Sequence, residues 1–158
     1  MTQVIFSIDP GKSGRIVAFH DGELHDAGIT AHAWTLATCI KNCRSLRTPF
    51  RVVIEHVNGA PGQSGPASFN FGKAYGELLG VCVALDVEPV LIRPVDWKGA
   101  LGLRREFGES NARFKGRSLA LAREIWPQHA DTWFRRAKDD GAAEAALLGH
   151  YVTKEGIV

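Results

Sequence analysis

Three short apolar segments open the chain, and the turns between them leave little freedom in how they pair. Gln3 to Asp9 and Arg15 to His20 are rich in Val, Ile and Phe, and Glu23 to Ala27 follows. Gly11-Lys-Ser-Gly14 makes a tight turn between the first two. Asp21-Gly22, between the second and third, is a strong signal for a two-residue hairpin. Strands joined in this way form an antiparallel meander. One residue is out of keeping: Asp9 ends a strand that heads for a buried sheet, just before Pro10-Gly11.

The rest of the chain alternates. Ala31 to about Leu46 has helical spacing in Trp34, Leu36, Ala37, Ile40 and Cys43, and Pro49 ends it. Arg51 to Glu55 is a short continuous apolar run of the kind buried on both faces, expected beside the first strand. It too ends in a carboxylate. Asn58 to Pro66 is a Gly/Pro loop, and Pro66 suits the first turn of a helix reaching about Asp86. Glu88 to Arg93 is a fifth strand, Pro94 to Lys98 turns into a short helix, and Gly99 to Ser110 reads as an exposed basic loop. Asn111 to Trp126 is a helix stopped by Pro127, with Thr132-Trp-Phe134 packed before a last helix that starts near Asp140. The expected fold is α/β: a mixed five-stranded sheet, a three-strand antiparallel meander plus two parallel strands, with helices on both faces. All 158 residues fall in one domain.

Gly72, Gly76 and Gly80 stand four apart on the second helix, where each glycine costs up to ~1 kcal/mol relative to alanine. Another backbone is expected close by, either the sheet beneath or a helix of a second subunit. The three cysteines, Cys39, Cys43 and Cys82, are an odd number with no second Cys/His pair to complete a zinc site, so they read as reduced thiols. Met1-Thr2-Gln3 lacks the basic start of a signal peptide, and no apolar run reaches the ~18 residues of a membrane helix. A cytoplasmic protein without membrane contact is expected. Net charge is only +2, but from Arg93 to Arg117 seven basic residues stand against Asp96, Glu106 and Glu109. That segment is a candidate anion-binding face.

Asp9 and Glu55 end strands expected to be neighbours, so both side chains can reach one crevice at the sheet edge. The last helix offers Asp139, Asp140 and Glu144, and Asp140 and Glu144, four apart, share a helical face. Taken singly, each acid has an ordinary role in a turn, cap or ion pair. Taken together they would repel, and a positive charge must offset them. Oxygen-only ligands point to Mg²⁺, with Mn²⁺ able to substitute. Two such ions per active site suit hydrolysis of a phosphodiester, with Asp9 bridging them.

Five blocks, "IDPGKSG", "VVIEHV", "FNFGKAYGELLGV", "RPVDWKGALGL" and "KDDGAAEAALLGHY", occur in the order of the RuvC-type Holliday junction resolvases. The chain resembles them over roughly residues 3 to 152, most of all the compact branch of phages and some organelles. The resemblance implies an RNase H-like fold, a homodimer and metal-dependent paired nicking of four-way DNA junctions. It matches Asp9 and Glu55 to the strand-end acids and Asp140 and Glu144 to the acidic pair of the final helix. The bacterial enzymes have Asp-x-x-Asp there, whereas this chain has Asp140-Gly-Ala-Ala-Glu144; Asp140 is preferred over Asp139 because i and i+4 share a face. The resemblance also implies that the start of the second helix meets the junction centre, through Phe69, Asn70 and Lys73. Lys98 would reach the scissile phosphate, and Arg104, Arg105, Lys115 and Arg117 would hold DNA arms. Two other readings are a nuclease for flaps, forks or other branched nucleic acid, and a non-catalytic branched-DNA-binding module. An actin-like ATPase or kinase is disfavoured by length.

Overall fold

Every residue of the first strand is buried, and the architecture follows from covering both of its faces. The computed structural model describes residues 3–11, 13–57 and 64–158; the tip of the Gly/Pro loop (58–63) and Lys12 in the first turn lie outside the described residues. Strands β1 (Val4–Ile8), β2 (Arg15–His20), β3 (Glu23–Thr30), β4 (Phe50–Glu55) and β5 (Val90–Ile92) form one sheet in the order β3-β2-β1-β4-β5. The pairs β1–β2 and β2–β3 are antiparallel, while β1–β4 and β4–β5 are parallel. This is the expected mixed sheet.

Alternation along β1 and β4 separates two cores. Val4, Phe6, Ile8, Val52 and Ile54 pack with Leu36 and Ile40 of α1 (Ala33–Ser45) and Leu78 and Cys82 of α2 (Gly65–Ala84). Ile5 and Val53 face the other way, onto Trp97 of α3 (Pro94–Ala100), Leu119 and Ala122 of α4 (Asn111–Ile125) and the apolar face of α5 (Asp140–Lys154). Among the described residues no helix is long and apolar enough to cross a membrane.

The hairpin turn is as expected, with Asp21 and Gly22 both at positive φ (48° and 84°), the combination that type I′ requires. Strand β3 runs three residues past Ala27, because Ile29 and Thr30 regain partners on β2 after a register shift. The loop after α3 is less exposed than its composition suggests. Leu103 enters the core, and the Glu109 side chain turns inward, where Arg117 holds it at 3.1 Å. Phe134 is fully buried against Trp126.

The glycine stripe of α2 does not pack on the sheet. A Cβ at Gly72, Gly76 or Gly80 would meet nothing within 4 Å among the described residues. The close approach is made instead by α5. A Cβ on Gly149 would stand 2.2 Å from the Phe19 ring, and one on Gly141 would stand 2.3 Å from the Ser13 carbonyl oxygen. Between them the Ala145 carbonyl accepts a hydrogen bond from Ser7 Oγ at 2.8 Å. Gly141, Ala145 and Gly149 therefore form a small-residue stripe at spacing four that seats α5 on β1 and β2.

The two stripes should respond oppositely to the same change. Gly149→Ala is expected to destabilise by about 1–3 kcal/mol through overpacking. In the isolated subunit, measured at a dilution where the chain is monomeric, Gly76→Ala should stabilise by up to about 1 kcal/mol through helix propensity. Urea denaturation of both variants checks this, and equal effects would contradict the packing described.

Candidate active site

Strand alternation and register decide where the acids fall. Ser7 points to α5, so Asp9, two residues on, leaves β1 on that same side. Val53 lies in the same core, which sends Glu55 there as well. Ile8 pairs with Ile54, so Asp9 and Glu55 follow at the same level of adjacent parallel strands. The turn beyond Asp9 closes tightly, because a Cβ on Gly14 would stand 2.1 Å from the Asp9 carbonyl oxygen.

The start of α5 completes the group. Gly141 allows Asp9 beneath it, since its Cβ would stand 3.2 Å from Asp9 Oδ2. Asp140 and Glu144 then flank Asp9, one helical turn apart. Lys98 Nζ of α3 bonds Glu144 Oε2 at 2.9 Å and lies 4.0 Å from Glu55 Oε1. Lys115 of α4 bonds Asp140. Trp97 Nε1 donates to Glu55 Oε1 at 2.9 Å, and Ser118 Oγ donates to Glu144 Oε1 at 3.3 Å. Asp139 takes no part. Burial works against its charge, but Arg136 binds both its oxygens and holds its carboxyl below the usual range.

The electrostatics express a shortage of positive charge. Burial, then the charges of Glu55 and Glu144, push the Asp9 carboxyl well above the ordinary aspartate range; Lys98 only partly opposes them. Burial also raises Glu55, against the pull of Lys98 and the Trp97 hydrogen bond. Among the described residues no side chain donates a hydrogen bond to Asp9. Among the described residues four carboxyl groups face two ammonium groups, so positive charge is short there and a phosphodiester would be poorly accommodated.

Hard divalent ions fit that deficit and that all-oxygen donor set. As the side chains stand, no three His, Cys, Asp or Glu groups among the described residues are placed to hold an ion. Lys98 and Lys115 supply the positive charge instead, so binding an ion requires the acids to draw together.

Neither a protein-family model nor a curated protein sequence matches the chain. Solved structures do. T. thermophilus RuvC in complex with a Holliday junction substrate matches with a TM-score of 0.54 and 16% identity, over 97% of this chain and 96% of that one. Another Thermus thermophilus RuvC structure matches at 0.50, with the same identity and coverage. The chain has a RuvC-type fold.

On this RuvC-type fold the remaining residues expected to touch DNA divide into free and committed groups. Phe69, 71% exposed, and Asn70 stand open at the start of α2, and Lys73 is exposed with Glu77 3.9 Å away. Phe71 is partly buried and stacks on Tyr75. Arg104 is exposed. Arg117 is committed: it binds Glu109 and the carbonyls of Gly102 and Arg104, bracing the loop rather than offering its guanidinium. Arg105 is likewise held by the Glu109 carbonyl and Asn111. Trp97, Ser118 and Gly141 belong to the site and were missed in the sequence. The only hint was the position of Trp97 beside Lys98, since an indole reads as core in any apolar pattern.

The raised Asp9 and Glu55 values set a pH dependence for the ion-free protein. A carboxyl raised on folding contributes stability that is fully present below its unfolded pKa and is lost as pH rises through the folded value. In EDTA, Asp9→Asn should therefore match wild type near pH 4 and become progressively more stable than it toward pH 8. Mg²⁺ should stabilise wild type and not the variant. Urea midpoints measured across pH check both, and a pH-independent difference would contradict the charge shortage.

Proposed function

We propose that the chain is a divalent-metal-dependent endonuclease that cuts four-way DNA junctions by paired nicks, as a homodimer. The observation that carries this reading is the convergence of Asp9, Glu55, Asp140 and Glu144 in one crevice where, among the described residues, only Lys98 and Lys115 oppose them. Its setting supports the substrate, since the solved neighbour with the same fold is described in complex with a Holliday junction substrate.

In this reading the four acids hold Mg²⁺ or Mn²⁺, which when bound supplies an activated water and offsets charge on the leaving oxygen. The chain's own residues do the positioning. Trp97 and Ser118 fix the carboxylates of Glu55 and Glu144, as outer partners of metal ligands do. Lys98, nearly buried between two of the acids, is placed to meet the phosphate as its carboxylate partners turn to an ion. Lys115, about half exposed, would then be free for a neighbouring backbone phosphate. Phe69, Asn70 and Lys73 form an exposed aromatic and polar end of α2 suited to a splayed base at the junction centre.

The dimer reading rests on the exposed, side-chain-free stripe Gly72, Gly76 and Gly80, which packs against nothing among the described residues of one subunit. Two such faces can bring helices close together. Two sites related by a two-fold axis would cut two strands symmetrically.

A nicking assay on a synthetic four-way junction with each strand labelled, with and without Mg²⁺, tests the activity. Paired nicks that need the metal are expected. Asp9→Asn should lose cleavage and keep junction binding. A stronger preference for flaps or forks would change the substrate, and binding without cleavage in Mg²⁺ and Mn²⁺ would leave a branched-DNA-binding module.

Gly76→Arg tests the dimer. Gly76 is exposed and a Cβ there meets nothing within 4 Å among the described residues, so the fold should be retained. Sedimentation equilibrium should show wild type as a dimer and the variant as a monomer. A variant that remains dimeric would place the interface elsewhere.

A further inference from the structure

Beside the carboxylates, and sharing Lys98 with them, lies an open cavity of about 360 Å³ lined by Pro94, Val95, Lys98, Arg104, Arg105 and Phe114. That volume falls within the range of small-molecule sites, roughly 300–1,000 Å³. Its floor is apolar: Pro94, the Phe114 ring, and Val95, which is 65% exposed although its neighbour Trp97 is fully buried. Three basic side chains, Lys98, Arg104 and Arg105, complete the lining. Lys98 Nζ and the Arg105 guanidinium lie 5.2 and 5.6 Å from the Phe114 ring centroid. Arg105 is held in place by Glu109 and Asn111. The Arg104 guanidinium lies over Gly99 and has no ion pair among the described residues.

The two halves of this lining ask for different things. A bare phosphate would gain nothing from the apolar floor, and a neutral apolar ligand would gain nothing from three cations. A nucleotide satisfies both, with a flat base on the floor and its phosphate toward Lys98. Resting on the nuclease reading above, we infer that this cavity seats the base of a nucleotide next to the cleaved phosphate, turned out of its stack. The Arg104 guanidinium, without an ion pair among the described residues, can bond the edge of a base in a fork geometry, which would make cleavage sensitive to the base at that position. Unstacking costs least where pairing is already broken, as near a branch point.

The test is an abasic scan. Four-way junctions carry a single abasic residue at each position within three nucleotides of the nick, cut by wild type and by Val95→Trp, which fills the seat at an exposed position. At one position the abasic residue should slow wild-type cleavage about tenfold, in line with the loss of one stacked base. Val95→Trp should slow the intact junction by a similar factor, and the two changes together should do no more than either alone. Wild type cutting every abasic junction as fast as the intact one would overturn the seat and leave the nuclease reading standing. So would effects of the two changes that multiply. If nothing is cleaved, 2-aminopurine at the same positions reads the seat without chemistry. A change of emission on binding at one position, lost in Val95→Trp, supports the seat even though the nuclease reading fails; no change at any position overturns it.

Discussion

The seating of α5 on the sheet is the contact on which the rest depends. Gly141, Ala145 and Gly149 remove the side chains that would hold the helix away, and the Phe19 ring and the Ser13 carbonyl fill the space. The same approach that closes the core lowers the first turn of α5 onto Asp9. Packing and site are therefore one feature: the helix cannot back away without opening the core, and it cannot stay without crowding carboxylates.

That crowding is costly, and the structure shows how it is met. Buried charge is tolerated when paired, and Lys98 and Lys115 come from two different helices to provide the pairs. Trp97 directs its indole N–H, the only donor of its side chain, to Glu55. Asp9 is left with neither ammonium bonded to it, and its raised proton affinity is the residue of an incomplete balance. A fold that wanted only stability would gain by replacing these acids with apolar groups. Their convergence in one crevice is the physical argument behind the proposed cation site.

The loop between α3 and α4 shows the same division of labour at the surface. Glu109 is drawn inward and held by Arg117, which fixes the loop that presents Arg104 and Arg105. Arginines that looked equivalent along the chain thus separate into a brace, a pinned group and one with no ion pair among the described residues.

The sequence by itself determined the strands, their antiparallel start, the hairpin at Asp21-Gly22 and the two acids at strand ends, because period-two alternation and turn chemistry are local. It also placed Asp140 and Glu144 on one face, since helical spacing alone settles that. Which glycine stripe packs, which of Asp139 and Asp140 faces the crevice, and which arginines are free were decided only by tertiary structure. Gly72, Gly76 and Gly80 and the Gly141, Ala145 and Gly149 set have the same spacing, and only the position of each helix relative to the sheet tells them apart. Arg136 captures Asp139 across one turn of backbone, leaving Asp140 to the site. Ser118 carries no signal along the chain and Trp97 only its place beside Lys98, because their role exists only where α3 and α4 meet the carboxylates in space.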